Sequence, residues 1–394
     1  MTRLRTEATA LLPELVALRR DLHRQPEIGL DLPETQATVL RALDGLPLEI
    51  TLGTATTSVV AVLRGAHPGP AVLLRGDMDG LPVAEETGID FAAANGNMHA
   101  CGHDLHTAGL VGAAKLLAAK RESIHGSVIF MFQPGEEGYK GAKVMLDEGV
   151  LEAAGERPIA AYGIHVAPGP RGTFSIKSGP ALAGSNTLQV TVHGKGGHGS
   201  QPQTATDPVP ALLAIASELQ TMVTRRFSVF DPVVLSVTQL QAGDAINVIP
   251  PQASLGATVR TLSPESVETM RTETNRLASG IAAAHGCTAE VDFEVQYPVT
   301  INTPDQTEWV VSELRGLFGE ERINTVEQPL MGSEDFSFVL EEVPGTFFFL
   351  HCSPEGIDPD TVAWNHSPHV LFDDAVLADQ AAALAHLALT RLAD

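Results

Sequence analysis

Residues 105–137 read LHTAGLVGAAKLLAAKRESIHGSVIFMFQPGEE, and the change of texture along that stretch decides the fold. Leu105 to Lys120 is a run of small and aliphatic residues of helical length. Ser127 to Phe132 is an unbroken apolar run, ended by a Pro-Gly loop that carries Glu136 and Glu137. Such a run suits a strand covered on both faces. Val59 to Leu63 and Ala71 to Leu74 upstream, and Ala160 to Val166 downstream, have the same character. Short apolar strands separated by helices predict an α/β fold. In such sheets chemistry gathers in the loops at strand C-termini.

Further along, the texture changes near Gly184. Asn186 to His193 (NTLQVTVH) alternates like a half-exposed strand. Asp207 to Thr224 is a helix opened by Asp-Pro, a good cap and first-turn pair. Val233 to Gln241 and Ala253 to Leu262 are strands, Ser263 caps a helix running to about His285, and Cys287 to Gln296 is a last strand. The order β-α-β-β-α-β is the split βαβ of ferredoxin-like domains. Around Tyr297 the α/β pattern resumes and runs to a helix over Asp373 to Leu392. The expected organisation is a discontinuous α/β domain, 1–184 and 297–394, with a second domain inserted at 185–296.

Composition excludes several function classes. The chain has 394 residues, 44% of them hydrophobic, which is too apolar for disorder. Its net charge of −23 argues against nucleic acid, which needs clustered Lys and Arg. No apolar run approaches the roughly 20 residues that span a bilayer, so no membrane partner is expected. The opening MTRLRTEATALLPELVALRRDLHRQPE reads as an amphipathic helix rather than a signal-peptide core, because Glu7 and Glu14 interrupt its apolar residues. Three unpatterned cysteines, Cys101, Cys287 and Cys352, argue against a disulfide framework and make the cytoplasm the expected compartment.

Metal-capable side chains concentrate at predicted strand ends, in RGDMDGLP (75–82), HACGHDLH (99–106), QPGEEG (133–138), GIHV (163–166), GSEDF (332–336) and NHSPH (365–369). Cys101 and His103 are good ligands for zinc-like ions. The competing readings of that pair are a buried Cys beside a polar loop and a Cys–His nucleophile. A tight Gly-containing turn gives a base poor reach to a neighbour two positions away, so convergence on a metal suits the spacing better. Glu136 and Glu137 point in different directions from one loop. One could bind metal while the other moves protons, as metal-assisted hydrolysis requires, or both could be a solvated acidic turn. His165 alone reads as a core histidine and His366 as a loop residue. Together these segments supply Cys, His, Glu, His and His at the ends of one predicted sheet. Asp77 and Asp79 alternate at the end of Ala71–Leu74 and could hold a ligand imidazole, or form a simple acidic turn. In the inserted domain, His198 lies in a Gly-rich segment (GKGGHGSQP, 194–202) and could donate to an oxyanion, unless that segment is only a flexible hairpin tip. Asn247 is similarly placed near a Pro-Pro turn. Arg260 sits mid-strand, where a substrate carboxylate would be a good bidentate partner.

Taken in order, these motifs resemble the amidohydrolase family of hippurate hydrolases, N-acyl-L-amino-acid amidohydrolases and auxin-conjugate (indoleacetyl-amino acid) hydrolases. That family belongs to the aminoacylase and glutamate-carboxypeptidase superfamily of di-metal peptidases. The match runs from LRRDLHRQPE (18–27) to NHSP (365–368). The resemblance implies a zinc-peptidase-like α/β/α catalytic domain and an inserted ferredoxin-like lid and dimerisation domain, hence a homodimer. It also implies two divalent ions, zinc or manganese, with nickel or cobalt also compatible. By position, Cys101 looks like the bridging thiolate. His103, Glu137, His165 and His366 look like the other ligands, and Glu136 like the general base. Asp79 looks like the carboxylate supporting a ligand imidazole, and Asp77 stands where the wider superfamily often has a ligand His. His198 would stabilise the tetrahedral intermediate, in its own subunit's site or the partner's, and Asn247 and Arg260 would contact substrate. His369 departs from the commoner Tyr, Lys or Phe. The implied activity is hydrolysis of N-acyl amino acids. The alternatives are a di-metal aminopeptidase or dipeptidase and an inactive binding protein.

Overall fold

The apolar runs become the middle strands of an eight-stranded sheet in the computed structural model, which describes residues 2–358 and 361–393. The chain opens with α1 (Thr2–His23), α2 (Pro33–Leu43), β1 (Leu48–Leu52), β2 (Val59–Arg64) and β3 (His67–Asp77). There follow α3 (His103–Ala118), β4 (His125–Gln133), α4 (Gly141–Asp147), β5 (Pro158–Ala167), β6 (Phe174–Ile176) and β7 (Gly179–Leu182). Next come β8 (Gly184–His193), β9 (Gly197–His198), α5 (Pro208–Arg226), β10 (Val234–Ala242), β11 (Val248–Ile249), β12 (Gln252–Thr261), α6 (Pro264–Ala284) and β13 (Thr288–Tyr297). The remainder is β14 (Thr300–Asn302), α7 (Pro304–Phe318), β15 (Ile323–Thr325), α8 (Ser337–Glu342), β16 (Gly345–His351) and α9 (Leu377–Arg391).

Two compact units result. The first comprises Met1–Ala181, Ile301–Pro329 and Asp335–Asp394, and the second Leu182–Thr300 with Leu330–Glu334. In the first, the strand order is β1-β2-β4-β3-β5-β16-β6-β15, and the four middle strands β4, β3, β5 and β16 run parallel. Their C-terminal ends therefore share one edge, with Asp77 opposite Gln133 and His351 opposite Ala167. Residues Val128 to Gln133 of β4 are all buried, as a strand covered on both faces requires. Against the sheet, α3 packs with α1 and α9. Sequence patterning after Tyr297 says only that α/β character resumes, and the structure places a central strand, β16, there. It also starts α3 at His103, ahead of Leu105. Gly102 makes that early start possible, because its φ of +87° turns the chain, and a Cβ there would stand 2.3 Å from Val166 Cγ2.

The second unit holds an antiparallel sheet of order β10-β12-β8-β13. Leu188, Val190 and Val192 of β8 alternate inward and join a core with Leu212, Ile215 and Leu219 of α5 and Met270, Ala278 and Ala282 of α6. Both helices are capped as their sequences suggest: Asp207 accepts the Val209 N–H at 2.9 Å, and Ser263 Oγ accepts the Ser266 N–H at 3.0 Å. The element order and the central pair β12-β8 make this the ferredoxin-like arrangement.

Candidate metal centre

Strand ends of the first unit deliver the side chains. β3 ends at Asp77, β5 carries His165 near its end, and the loop after β4 carries Glu136 and Glu137. Cys101 and His103 stand at the start of α3. His366 has a φ of +71°, rare for a residue with a side chain, and its N–H donates to Ala100 O at 2.9 Å. Asn365 stitches that loop down, its side-chain amide donating to Cys101 O and Val166 O at 3.2 Å each.

The geometry converges on the Cys101 sulfur. His165 Nε2 lies 3.4 Å from Cys101 Sγ and His366 Nε2 3.3 Å from it. His366 Nε2 also lies 3.1 Å from Glu137 Oε1. Two overlapping groups, Cys101–His103–His165 and Cys101–Glu137–His366, each bring one ligand atom per residue within 4.8 Å of the others. Glu136 joins His103 and Glu137 in a third such group. His165 donates its Nδ1–H to Val166 O at 2.8 Å, which leaves Nε2 as the lone-pair nitrogen facing the sulfur. His103 is fully buried between Asp77, 3.4 Å from its Nε2, and Asp79, 3.3 Å from its Nδ1. Neither ring nitrogen makes a well-aligned hydrogen bond. A buried imidazole with uncommitted nitrogens, beside a thiol, a carboxylate and two further imidazoles, is a donor set that fits zinc-like cations.

Electrostatics divides the three imidazoles. Burial, reinforced by His106, holds His165 well below the usual imidazole pKa, in the neutral form a cation needs. Hydrogen bonds to Cys101 and then Glu137 push His366 up to about 10. A positive charge is therefore favoured beside Glu137, and a proton or a metal cation would supply it. Burial opposes charge on His103, but Asp77 and Asp79 outweigh it and hold its pKa well above the ordinary value.

His106 belongs to a different task. Its Nδ1 lies 2.5 Å from Asp77 Oδ1 and its Nε2 accepts the Val166 N–H at 2.8 Å, so both nitrogens are committed to protein partners. Asp79 accepts the backbone N–H of Glu136 and of Glu137 at 3.0 Å each, a clamp on the Glu pair that sequence reasoning did not foresee. The period-two reading of Asp77 and Asp79 needs restating. β3 stops at Asp77, and the two carboxylates flank the His103 ring on opposite nitrogens rather than sharing a strand face. His369 is exposed, with Nδ1 3.2 Å from Glu86 O.

Seven of the ten candidate residues thus stand together: Asp79, Cys101, His103, Glu136, Glu137, His165 and His366. The other three belong to the second unit. There His198 on β9 pairs with Val248 on β11, and the Gly199 N–H donates to Asn247 O at 2.8 Å, so His198 and Asn247 are neighbours in one exposed turn. Arg260 on β12 is half-buried. It donates to Thr258 Oγ1 at 2.9 Å and has no carboxylate partner among the described residues.

The model of peptidase family M20/M25/M40 matches residues 73–390. The chain belongs to that family. Among relatives of this M20 chain, the N-acetylcysteine deacetylase of Bacillus subtilis (strain 168) is 36% identical over 92% of this chain and 93% of its own length. The IAA-amino acid hydrolase ILR1-like 5 of Arabidopsis thaliana is 37% identical over 96% of this chain and 87% of its own. A crystal structure of the Bacillus subtilis YXEP protein, a dinuclear metal binding peptidase from the M20 family, superposes with a TM-score of 0.83 at 33% identity, covering 98% of this chain and 99% of that one.

Proposed function

We infer that this M20 chain is a metal-dependent amidohydrolase that cleaves the amide bond of N-acyl amino acids to a carboxylic acid and a free amino acid. The observation that carries the reading is the gathering of His165, His366, Glu137 and His103 around Cys101, with Glu136 beside them. Cys101, His103, Glu137, His165 and His366 would hold two divalent ions. Thiolate and imidazole favour zinc, and the carboxylate also suits manganese. When bound, such ions supply Lewis acidity that lowers the pKa of a water and polarises an amide carbonyl. Glu136 takes the water's proton as the oxygen adds to the carbonyl carbon, and returns it to the departing amino group. Asp79 keeps Glu136 and Glu137 aimed by holding both their amides. His198 is assigned to the oxyanion: its Nδ1 accepts the Ser200 N–H at 3.1 Å, which leaves the proton on Nε2 as the donor. Asn247 and Arg260 are assigned to the substrate, Arg260 to its carboxylate. Both curated relatives are named for removing an acyl group from an amino acid, which supports this substrate class.

The inserted domain is read as lid and dimerisation element, and the protein as a homodimer of the cytoplasm with no nucleic-acid or membrane partner. Its three cysteines are all free, which suits a reducing compartment, and no helix of the described residues is long and apolar enough to cross a membrane.

The test is free-amine release from hippurate, N-acetyl-Met and indoleacetyl-Ala, with a free dipeptide as the peptidase arm, in defined zinc or manganese. Turnover should vanish with chelator and return with metal. Glu136→Gln should keep its metal and lose roughly 10³-fold in kcat. Cleavage of the dipeptide alone would replace the reading with an aminopeptidase. Turnover that survives chelation would replace it with Cys101 as nucleophile.

A further inference from the structure

The GSEDF segment concentrates polar residues, yet nothing above uses Asp335. The structure buries it completely and surrounds its carboxylate with donors. Gln133 Nε2 lies 2.7 and 2.9 Å from its two oxygens, the Ala142 N–H donates to Oδ2 at 2.9 Å, and the Arg75 guanidinium lies 3.2 Å from Oδ1. Gln133 and Ala142 are the two ends of the loop that carries Glu136 and Glu137. The neck of that loop is closed tightly. The Gly141 N–H donates to Gly135 O at 3.0 Å, and a Cβ at Gly141 would stand 1.7 Å from Pro134 O. Arg75 extends the network. Its Nε donates to Gln133 Oε1 at 2.9 Å, and another guanidinium nitrogen lies 2.7 Å from Asp77 Oδ2, the carboxylate beneath His103 and His106.

Three donors from two separate segments meet on one group here. A carboxylate accepts all of them, whereas an amide offers one acceptor oxygen and turns its NH₂ toward other donors. A buried network of this kind specifies one geometry when every member is satisfied.

We propose that Asp335 is a positioning residue: it closes both ends of the Glu136–Glu137 loop, and Arg75 passes that restraint to Asp77 and the imidazoles it holds. The proposal deepens the hydrolase reading and rests on Glu136 as the base in that reading.

The experiment compares Asp335→Asn, Gln133→Glu and the exchanged pair Gln133→Glu/Asp335→Asn in the full chain. Amide hydrogen exchange is measured on metal-free protein, and kinetics and metal content on zinc-loaded protein. In Asp335→Asn the amides of Glu136, Glu137 and Ala142 should exchange about tenfold faster or more. kcat on N-acetyl-Met should fall about 100-fold with KM within about threefold, as expected when reacting groups are misaimed. Gln133→Glu should do the same by setting two carboxylates against each other. The exchanged pair restores one carboxylate–amide contact but leaves a single amide oxygen at 335 for both Arg75 and the Ala142 N–H, so it should recover part of both losses and exceed either single variant. Unaltered exchange over 134–142 in Asp335→Asn, or an exchanged pair no better than either single variant, would overturn the proposal. Should Asp335→Asn fail to fold, Gln133→Glu and the pair decide alone. A wild type that releases no amine from any acyl amino acid would remove the hydrolase reading, while the exchange data would still decide the loop.

Discussion

In the first unit Arg19, Arg75, Asp77, Asp79, His103, Asp104 and Glu136 are all buried, most of them within reach of an opposite charge. In the second unit the buried polar groups are Asn186, Thr261, Ser266, Thr274 and Thr300, with Glu334 the one charge among the described residues. Between Leu182 and Thr300 some large apolar side chains are exposed more fully than any in the first unit, Ile246 at 108% and Phe230 at 95%, with Leu240 at 55%. The first unit takes charges out of water, which is costly unless each is paired. The second leaves apolar side chains exposed, two of them, Val234 and Leu240, on β10, an edge strand with unpaired backbone groups, and Phe230 and Ile246 on either side of it in sequence. The contrast separates two unfinished features. One is a pocket of donors that fits a cation, the other an edge strand flanked by exposed apolar side chains.

The largest effect should come from metal. Zinc or manganese returned to chelated protein at about 1,000 times its dissociation constant should add about 4 kcal/mol of stability per site. The gain should be read as a rise in Tm and as slower hydrogen exchange over 99–106 and 134–141. Equal slowing across 186–296 would break the contrast, because it would make the cation's influence global rather than local to the donor pocket.

A smaller effect tests the other side. Leu240→Lys places a charge on the exposed apolar edge of β10 and should weaken a dimer formed there by about 10- to 100-fold, or about 1–3 kcal/mol. Light scattering across a dilution series measures it. A wild type that stays monomeric at every concentration would remove the edge as an interface and leave its exposed side chains without a role.

How much of this was legible beforehand follows the same division. The alternating NTLQVTVH and the two capped helices of the second unit were readable because a half-buried sheet writes its pattern with period two and helices announce their starts. The parallel strands β3, β4 and β5 were readable as apolar runs between turns. β16 was not marked, although Pro344-Gly345 followed by the apolar run Phe347–Leu350 carries the same turn-then-strand signal as the other central strands. Cys101, His103, Glu136, Glu137, His165 and His366 stood out because each is polar where the fold expects a strand end. Arg75, Gln133 and Asp335 lie within segments 75–82, 133–138 and 332–336 that do stand out, but their own role was not legible, because it rests on contacts across some 200 positions and no local spacing encodes that Gln133 and Ala142 share one carboxylate. The backbone clamp by Asp79 was hidden for the same reason.

The smallest effect concerns a charge the first unit must keep out of its core. His386 on α9 is buried, with Nε2 2.8 Å from Glu313 Oε2 on α7. Burial lowers its pKa below the ordinary imidazole value although Glu313 opposes the shift. The native protein therefore binds this proton less readily than the unfolded chain does. Its contribution to stability is complete above the unfolded value of about 6.5 and declines as pH falls through that value toward the lowered one. Each unit of displacement is worth about 1.4 kcal/mol. His386→Gln keeps a donor for Glu313 but cannot take a proton, so urea midpoints measured from pH 8 to pH 5 should fall less steeply than in the wild type. An identical slope in both would mean that His386 contributes nothing to the acid sensitivity of the first unit. That sensitivity would then lie with other buried groups, among them the donors that wait for a cation.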